Sequence, residues 1–152
     1  MKKNDRIAAF VETLGADDRL ALDPRYQGWF TCFNAQQYYE AHDVLENLWL
    51  QTRGPDYLFF KGLIQLAGAF VHLQKQFLHP DHHKHGRRLR PAVRLFLLAL
   101  TNLEPYSPLH HCLDVEEVCR LCRRYMDELA AAHFERNPWS PERAPQIQLL
   151  TA

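Results

Sequence analysis

His42 and Glu46 stand one helical turn apart if residues 34–51 form a helix. At that spacing an imidazole and a carboxylate can present two ligands to a divalent transition metal, as helical zinc motifs do. They can equally serve a metal-assisted hydrolysis, with Glu46 as base or ligand and His42 as ligand or acid. Tyr38, Tyr39, Leu45 and Trp49 share the same predicted face, at offsets of three, four and seven residues. A histidine and a carboxylate among such rings are costly to bury unless paired, so a structural polar network is the competing reading.

The following apolar segment carries its own polar stripe, Lys61, Gln65, His72 and Gln76. If the two helices run antiparallel about a turn near Arg53 and Gly54, residue numbers summing to about 107 lie level. Glu46 then faces Lys61 and His42 faces Gln65, which satisfies all four without a metal. His72 falls roughly 10 Å along the axis from Gln65. A compact His42–Glu46–His72 metal triad would therefore need an oblique crossing. The expected binding set is Tyr38, Tyr39, His42, Glu46, Trp49, Lys61, Gln65 and His72. On this geometry Glu46→Ala strands a buried Lys61 and costs several kcal/mol.

Four further histidines, His79, His82, His83 and His85, lie in the segment LHPDHHKHG. Imidazole clusters bind transition metals even in loops, but a solvated polar loop is the preferred reading. Cys119 and Cys122 form a C-x-x-C on the apolar face of a predicted helix, where cysteine packs as a small hydrophobe. Arg87, Arg88, Arg90 and Arg94 could hold phosphate groups, though a solvated helix face explains them too.

The elements that position these residues are predicted to be helices. Asn4 to Leu14 is amphipathic and stops at Gly15. Residues 16–33 read as a loop pinned by Trp29, Phe30 and Phe33. Asn34 is the expected N-cap of the second helix, with Gln37 completing a capping box. Gly54-Pro55 separates it from a third helix, Asp56 to about Phe77, apolar around most of its circumference and therefore central. A fourth helix starts near Arg88, so that Pro91 sits in its first turn, and ends near Leu103. Glu104 to Leu113 reads as a loop, and Asp114 caps a fifth helix. After Asn137 three prolines impose an extended tail, which ends in Ile147, Leu149 and Leu150. The expected fold is one all-α domain over residues 1–152, an antiparallel bundle of about five helices with an extended C-terminal tail at 137–152.

Composition bounds the partners. Apolar residues make up 47% of the 152, enough to fold. Lys plus Arg and Asp plus Glu both number 18, and without a net field nucleic acid is a poor default partner. No apolar run is long enough to cross a bilayer, and MKKNDRIAAFVETL has no continuous apolar core of a secretory signal, so a cytoplasmic protein with reduced thiols is expected.

EAHDVLENLW followed by KGLIQLAGAFVHL resembles the family named domain of unknown function 309, small and mostly helical bacterial and archaeal proteins. The matching positions are Tyr38, Tyr39, Glu40, Ala41, His42, Glu46 and Trp49, then Gly62, Leu63, Ile64, Gln65, Ala67, Ala69 and His72, and the resemblance spans roughly residues 33–103. This chain departs from the family pattern after His72, where a short Gly-Asn turn is replaced by the histidine-rich segment. The family's biochemical function is unknown, so the resemblance implies a fold more than an activity. Two functions are expected from the residues. The first is a non-catalytic module that binds a small polar ligand or a protein, with homo-oligomers open to it through an exposed apolar face. The alternative is a metal-assisted hydrolase using His42 and Glu46.

Overall fold

The computed structural model describes residues 1–151. Six α-helices carry the fold: α1 (Lys3–Glu12), α2 (Pro24–Asn34), α3 (Tyr38–Trp49), α4 (Tyr57–Leu78), α5 (Leu89–Leu103) and α6 (Val115–Ala131). The class is all-α, as expected, with one helix more than the sequence suggested.

The additional helix is α2, in the segment expected to be an aromatic loop. Its start signals are present: Asp23 is the N-cap and accepts from the Arg25 amide, and Pro24 opens the first turn, where no N–H is needed. Gly28 argues against a helix, but it lies where α2 packs closely on Leu14 and Val44. A Cβ there would lie 2.9 Å from Leu14 Cδ1 and 3.2 Å from Val44 Cγ1, so α2 meets its neighbours through that glycine. Asn34 is consequently the last residue of α2 and not the cap of the next helix. The chain turns at Gln36, whose φ is 60°, and α3 starts behind Gln37 without a side-chain cap.

α4 is the central helix. Phe70 shows why: its ring contacts Phe33 of α2, Tyr38 of α3, Phe96 of α5 and Tyr125 of α6 at centroid distances between 5.0 and 5.3 Å. The small Gly62 lets α5 approach closely, since a Cβ there would lie 2.7 Å from Leu103 Cγ. α6 starts as expected, with the Asp114 side chain accepting from the Glu117 amide. Cys119 and Cys122 are buried in the core, and burial pushes the Cys122 thiol up to about 12.

The segment expected to be a plain loop before α6 has structure of its own. A 3₁₀ turn at Glu104–Tyr106 leads into a short antiparallel hairpin, β1 (Leu109–His110) and β2 (Leu113–Asp114). His111 and Cys112 form its two-residue turn with φ of 46° and 61°, the left-handed pair that right-twisted hairpins favour. The C-terminal tail packs as expected. Trp139 and Ile147 are buried, and Asn34 donates to the Ile147 carbonyl at 2.9 Å and accepts from its amide at 2.7 Å. No helix among the described residues is long and apolar enough to cross a membrane.

Candidate functional site

The face of α3 that turns inward is not the one the motif spacing suggested. Its buried residues are Tyr38, Ala41, Val44 and Leu45, while Tyr39 is 59% exposed and His42, Glu46 and Trp49 are half-buried. The cause is α2. With partners on two sides, α3 buries a wedge shared between α2 and α4, and His42 and Glu46 rotate toward the outside. The level of the antiparallel pair is close to that expected: the Tyr38 and Phe70 rings stack at 5.3 Å, and Gln74 Nε2 donates to the Gln36 carbonyl at 3.0 Å. What differs is the rotation about the helix axis.

The expected cross-helix pairs are therefore replaced. His42 Nε2 lies 3.8 Å from Glu46 Oε2, and His42 Nδ1 lies 3.2 Å from Asp43 Oδ1. Glu46 is also 3.7 Å from Lys3 Nζ of α1, not paired to Lys61. With Glu46 about 29% exposed and its partners solvated, Glu46→Ala should cost less than about 1 kcal/mol in denaturant unfolding. This reverses the large loss that a buried Lys61 pair would give.

The polar stripe of α4 turns to α5. Gln65 Oε1 accepts from Asn102 Nδ2 at 2.7 Å, Gln76 Oε1 accepts from the Arg88 amide at 2.6 Å, and Arg88 Nη1 donates to His72 Nδ1 at 3.0 Å. Arg88 is thus a partly buried clamp, not part of a solvated arginine face. Burial, then the charges of Arg88, Lys75 and Arg94, push the His72 imidazole down to about 4. Between its ordinary 6.5 and that value the unfolded chain binds the extra proton, so stability rises with pH across the window. Allowing for solvent screening, acidification from pH 7 to 4 should cost the native chain on the order of 1–2 kcal/mol more than His72→Gln. Urea unfolding of both chains at several pH values measures the difference.

The histidine loop is internally bonded. His82 Nδ1 accepts from the amides of Lys84 and His85, both at 3.0 Å, and His85 Nδ1 accepts from Arg88. His79, His82 and His83 are exposed. Neither this loop nor His42, Glu46 and His72 gathers three ligand atoms: among the described residues, only Asp56, His110 and His111 place three within 4.8 Å of one another.

A groove of about 660 Å³ opens where α1, the turn after it, the start of α2 and the end of α3 meet. Its polar lining includes Glu12, Asp18, Asp23, Arg25, Asn47 and Gln51, over a floor of Ala8, Val11, Gly15 and Ala16. Arg25 is held from both sides. Its Nε and Nη2 donate to Asp23 at 3.0 and 2.9 Å, and its Nη1 donates to Asn47 Oδ1 and Gln51 Oε1 at 2.8 and 2.9 Å. Burial alone would raise the Asp23 carboxyl, but the Arg25 contacts outweigh it and hold it below the usual carboxylate range. Glu12 and Asp18 remain uncommitted carboxylates: neither forms an ion pair among the described residues. This groove is not legible in the sequence, because it depends on α2. Its one local signal is Asp23-Pro24, a helix start in a stretch expected to be a loop.

Fold and surface together define a small all-helical protein with a polar groove at one end. Residues 26–79, from the first turn of α2 to just past α4, match the model of the family described as domain of unknown function (DUF309), and over that segment the chain is similar to this family. The match starts earlier than the motif resemblance, taking in α2, and ends before α5. No curated protein and no solved structure matches the chain.

Proposed function

We propose that the protein is a non-catalytic module that binds a small polar ligand carrying an amine or guanidine, held in the groove between α1, α2 and α3. The observation that carries this reading is the groove's size and charge. A volume of about 660 Å³ lies within the range of small-molecule sites. Three carboxylates line it against one guanidinium, and Asp23 already neutralises that guanidinium. Glu12 and Asp18 are left to attract a cation, and the amides of Asn47 and Gln51 can orient it. The reading leaves His42 and Glu46 as a surface pair.

The alternative, metal-assisted hydrolysis at His42 and Glu46, draws on their solvent access and their 3.8 Å separation. Neither side chain lines the groove. A cytoplasmic setting fits the proposal, since all four cysteines are free thiols.

Thermal unfolding with agmatine, a small diamine-like guanidine, against butyrate tests the charge preference. Agmatine at a hundred times its Kd should stabilise the fold by about 2.7 kcal/mol, and butyrate should not. The double variant Glu12→Gln, Asp18→Asn should lose the agmatine effect while keeping its own unfolding midpoint, because both side chains are exposed. Equal responses to agmatine and butyrate, or an effect that survives the double variant, would refute the assignment.

A further inference from the structure

At the opposite end of α3 from its start, three side chains from two segments far apart in sequence converge. Asp56 ends the Gly54-Pro55 turn and opens α4, while His110 closes β1 and His111 begins the hairpin turn. His110 Nε2 lies 2.8 Å from Asp56 Oδ1 and His111 Nε2 lies 2.7 Å from Asp56 Oδ2. The two imidazoles are 4.1 Å apart between centroids.

We propose that Asp56, His110 and His111 form a binding site for a zinc-class divalent metal ion, with one coordination position open to the neighbouring cleft. The donor set is two imidazole nitrogens and a carboxylate oxygen, which suits zinc and other late first-row ions, and three protein ligands leave a position for water or a small oxygen donor. Zinc bonds of about 2.0–2.1 Å put tetrahedral ligand atoms roughly 3.3 Å apart. The two imidazole-to-carboxylate spacings therefore need to open by only about half an ångström to admit the ion.

The surroundings hold the ligands in place. Phe59 packs edge-on against His110 at 4.6 Å, and Tyr106 lies 4.9 Å from the same ring. Phe60 lies parallel to His111 at 6.4 Å. Both ligand-bearing backbones are pinned: Tyr26 donates to the His111 carbonyl at 3.0 Å, and Tyr106 donates to the Pro55 carbonyl. The turn holds His111 and Cys112 in left-handed backbone, which few non-glycine residues adopt. That constraint aims His111 at Asp56.

Access is also built in. Asp56 and His111 both line a cleft of about 320 Å³, which continues past Tyr26, Leu48, Thr52 and Phe60. Each of the three ligand side chains keeps between 28 and 35% of its surface exposed, so an ion can enter and an exchangeable ligand can reach it. This cleft adjoins the amine groove only through Asp23, and the metal site does not depend on that groove.

The test uses the full chain with His79, His82, His83 and His85 all changed to Gln, which clears the loop background. Titrated with ZnCl₂ after chelator treatment, this chain should bind one equivalent. Adding His110→Gln, His111→Gln or Asp56→Asn should weaken binding by at least about 100-fold, above the loss seen for outer-shell groups. Asp56→Asn retains a hydrogen-bond acceptor and so guards against a simple folding defect, checked by circular dichroism. On the same chain without those three changes, NMR should show the Nε2 signals of both His110 and His111 shifting with zinc. Binding that is absent, that survives all three substitutions, or that leaves both imidazole signals unmoved would overturn the site.

Discussion

Phe70→Ala is expected to lower the free energy of unfolding by about 3–5 kcal/mol, the range for removing a large buried ring. Phe70 is fully buried at the centre of α4. Tyr38 stacks on one side of it, and Phe33, Phe96 and Tyr125 meet it edge-on. Four helices thus meet at one side chain, and no neighbour can collapse into the space without leaving its own contacts. A domain of this size has about 5–15 kcal/mol of stability in all. Urea unfolding should show a much lower midpoint with an unchanged slope. A loss below about 1 kcal/mol would mean that α4 is not the hub. Phe70→Leu, which keeps most of the volume, should cost distinctly less.

Trp139→Ala should be comparably severe, about 3–5 kcal/mol, although Trp139 belongs to an irregular tail. Its indole is buried against Tyr38 and Phe77, and its Nε1 donates to the Tyr38 hydroxyl at 3.0 Å. Further contacts fix the tail on either side: Asn137 donates to the Leu73 carbonyl at 2.8 Å, and Asn34 clasps the Ile147 backbone through both atoms of its amide. Removing the indole should also free the tail locally, so limited proteolysis should cut between 137 and 152 well before the helical core opens. A tail that stays protected in Trp139→Ala would show that Asn34 and Asn137 suffice to hold it. Tyr38→Phe gives the finer comparison, because it leaves the buried indole N–H without its partner and should cost about 1–3 kcal/mol.

Much of the architecture was legible in the chain. The apolar circumference of residues 57–78, Pro91 in a first turn and Asp114 before Val115 are local signals, and local signals set helix positions. α2 is hard to read from the chain because its evidence is partly tertiary: Gly28 lowers helix propensity, and its close approach to Leu14 and Val44 is visible only in the fold. That one omission carried through to the site. Without α2, the spacing of Tyr38, His42, Leu45 and Glu46 suggested a face buried against α4; with it, Ala41 and Val44 go inside and His42 and Glu46 go out. Similarly, sequence adjacency turns the Gln65 and His72 stripe of α4 toward α3, whereas its partners lie on α5 and just before it. Asp56 and His111 are 55 residues apart, and only the hairpin turn brings them together. No spacing rule in the sequence links them.

The α1–α2–α3 groove is the proposed ligand site. Two-dimensional amide NMR of the full chain, titrated with agmatine, tests it most directly. Saturable shifts are expected at the amides of Ala8, Glu12, Ala16, Asn47 and Gln51, which line the groove, with residues around His42 unaffected. No saturable shift in the groove, or shifts centred on His42 and Glu46, would contradict it.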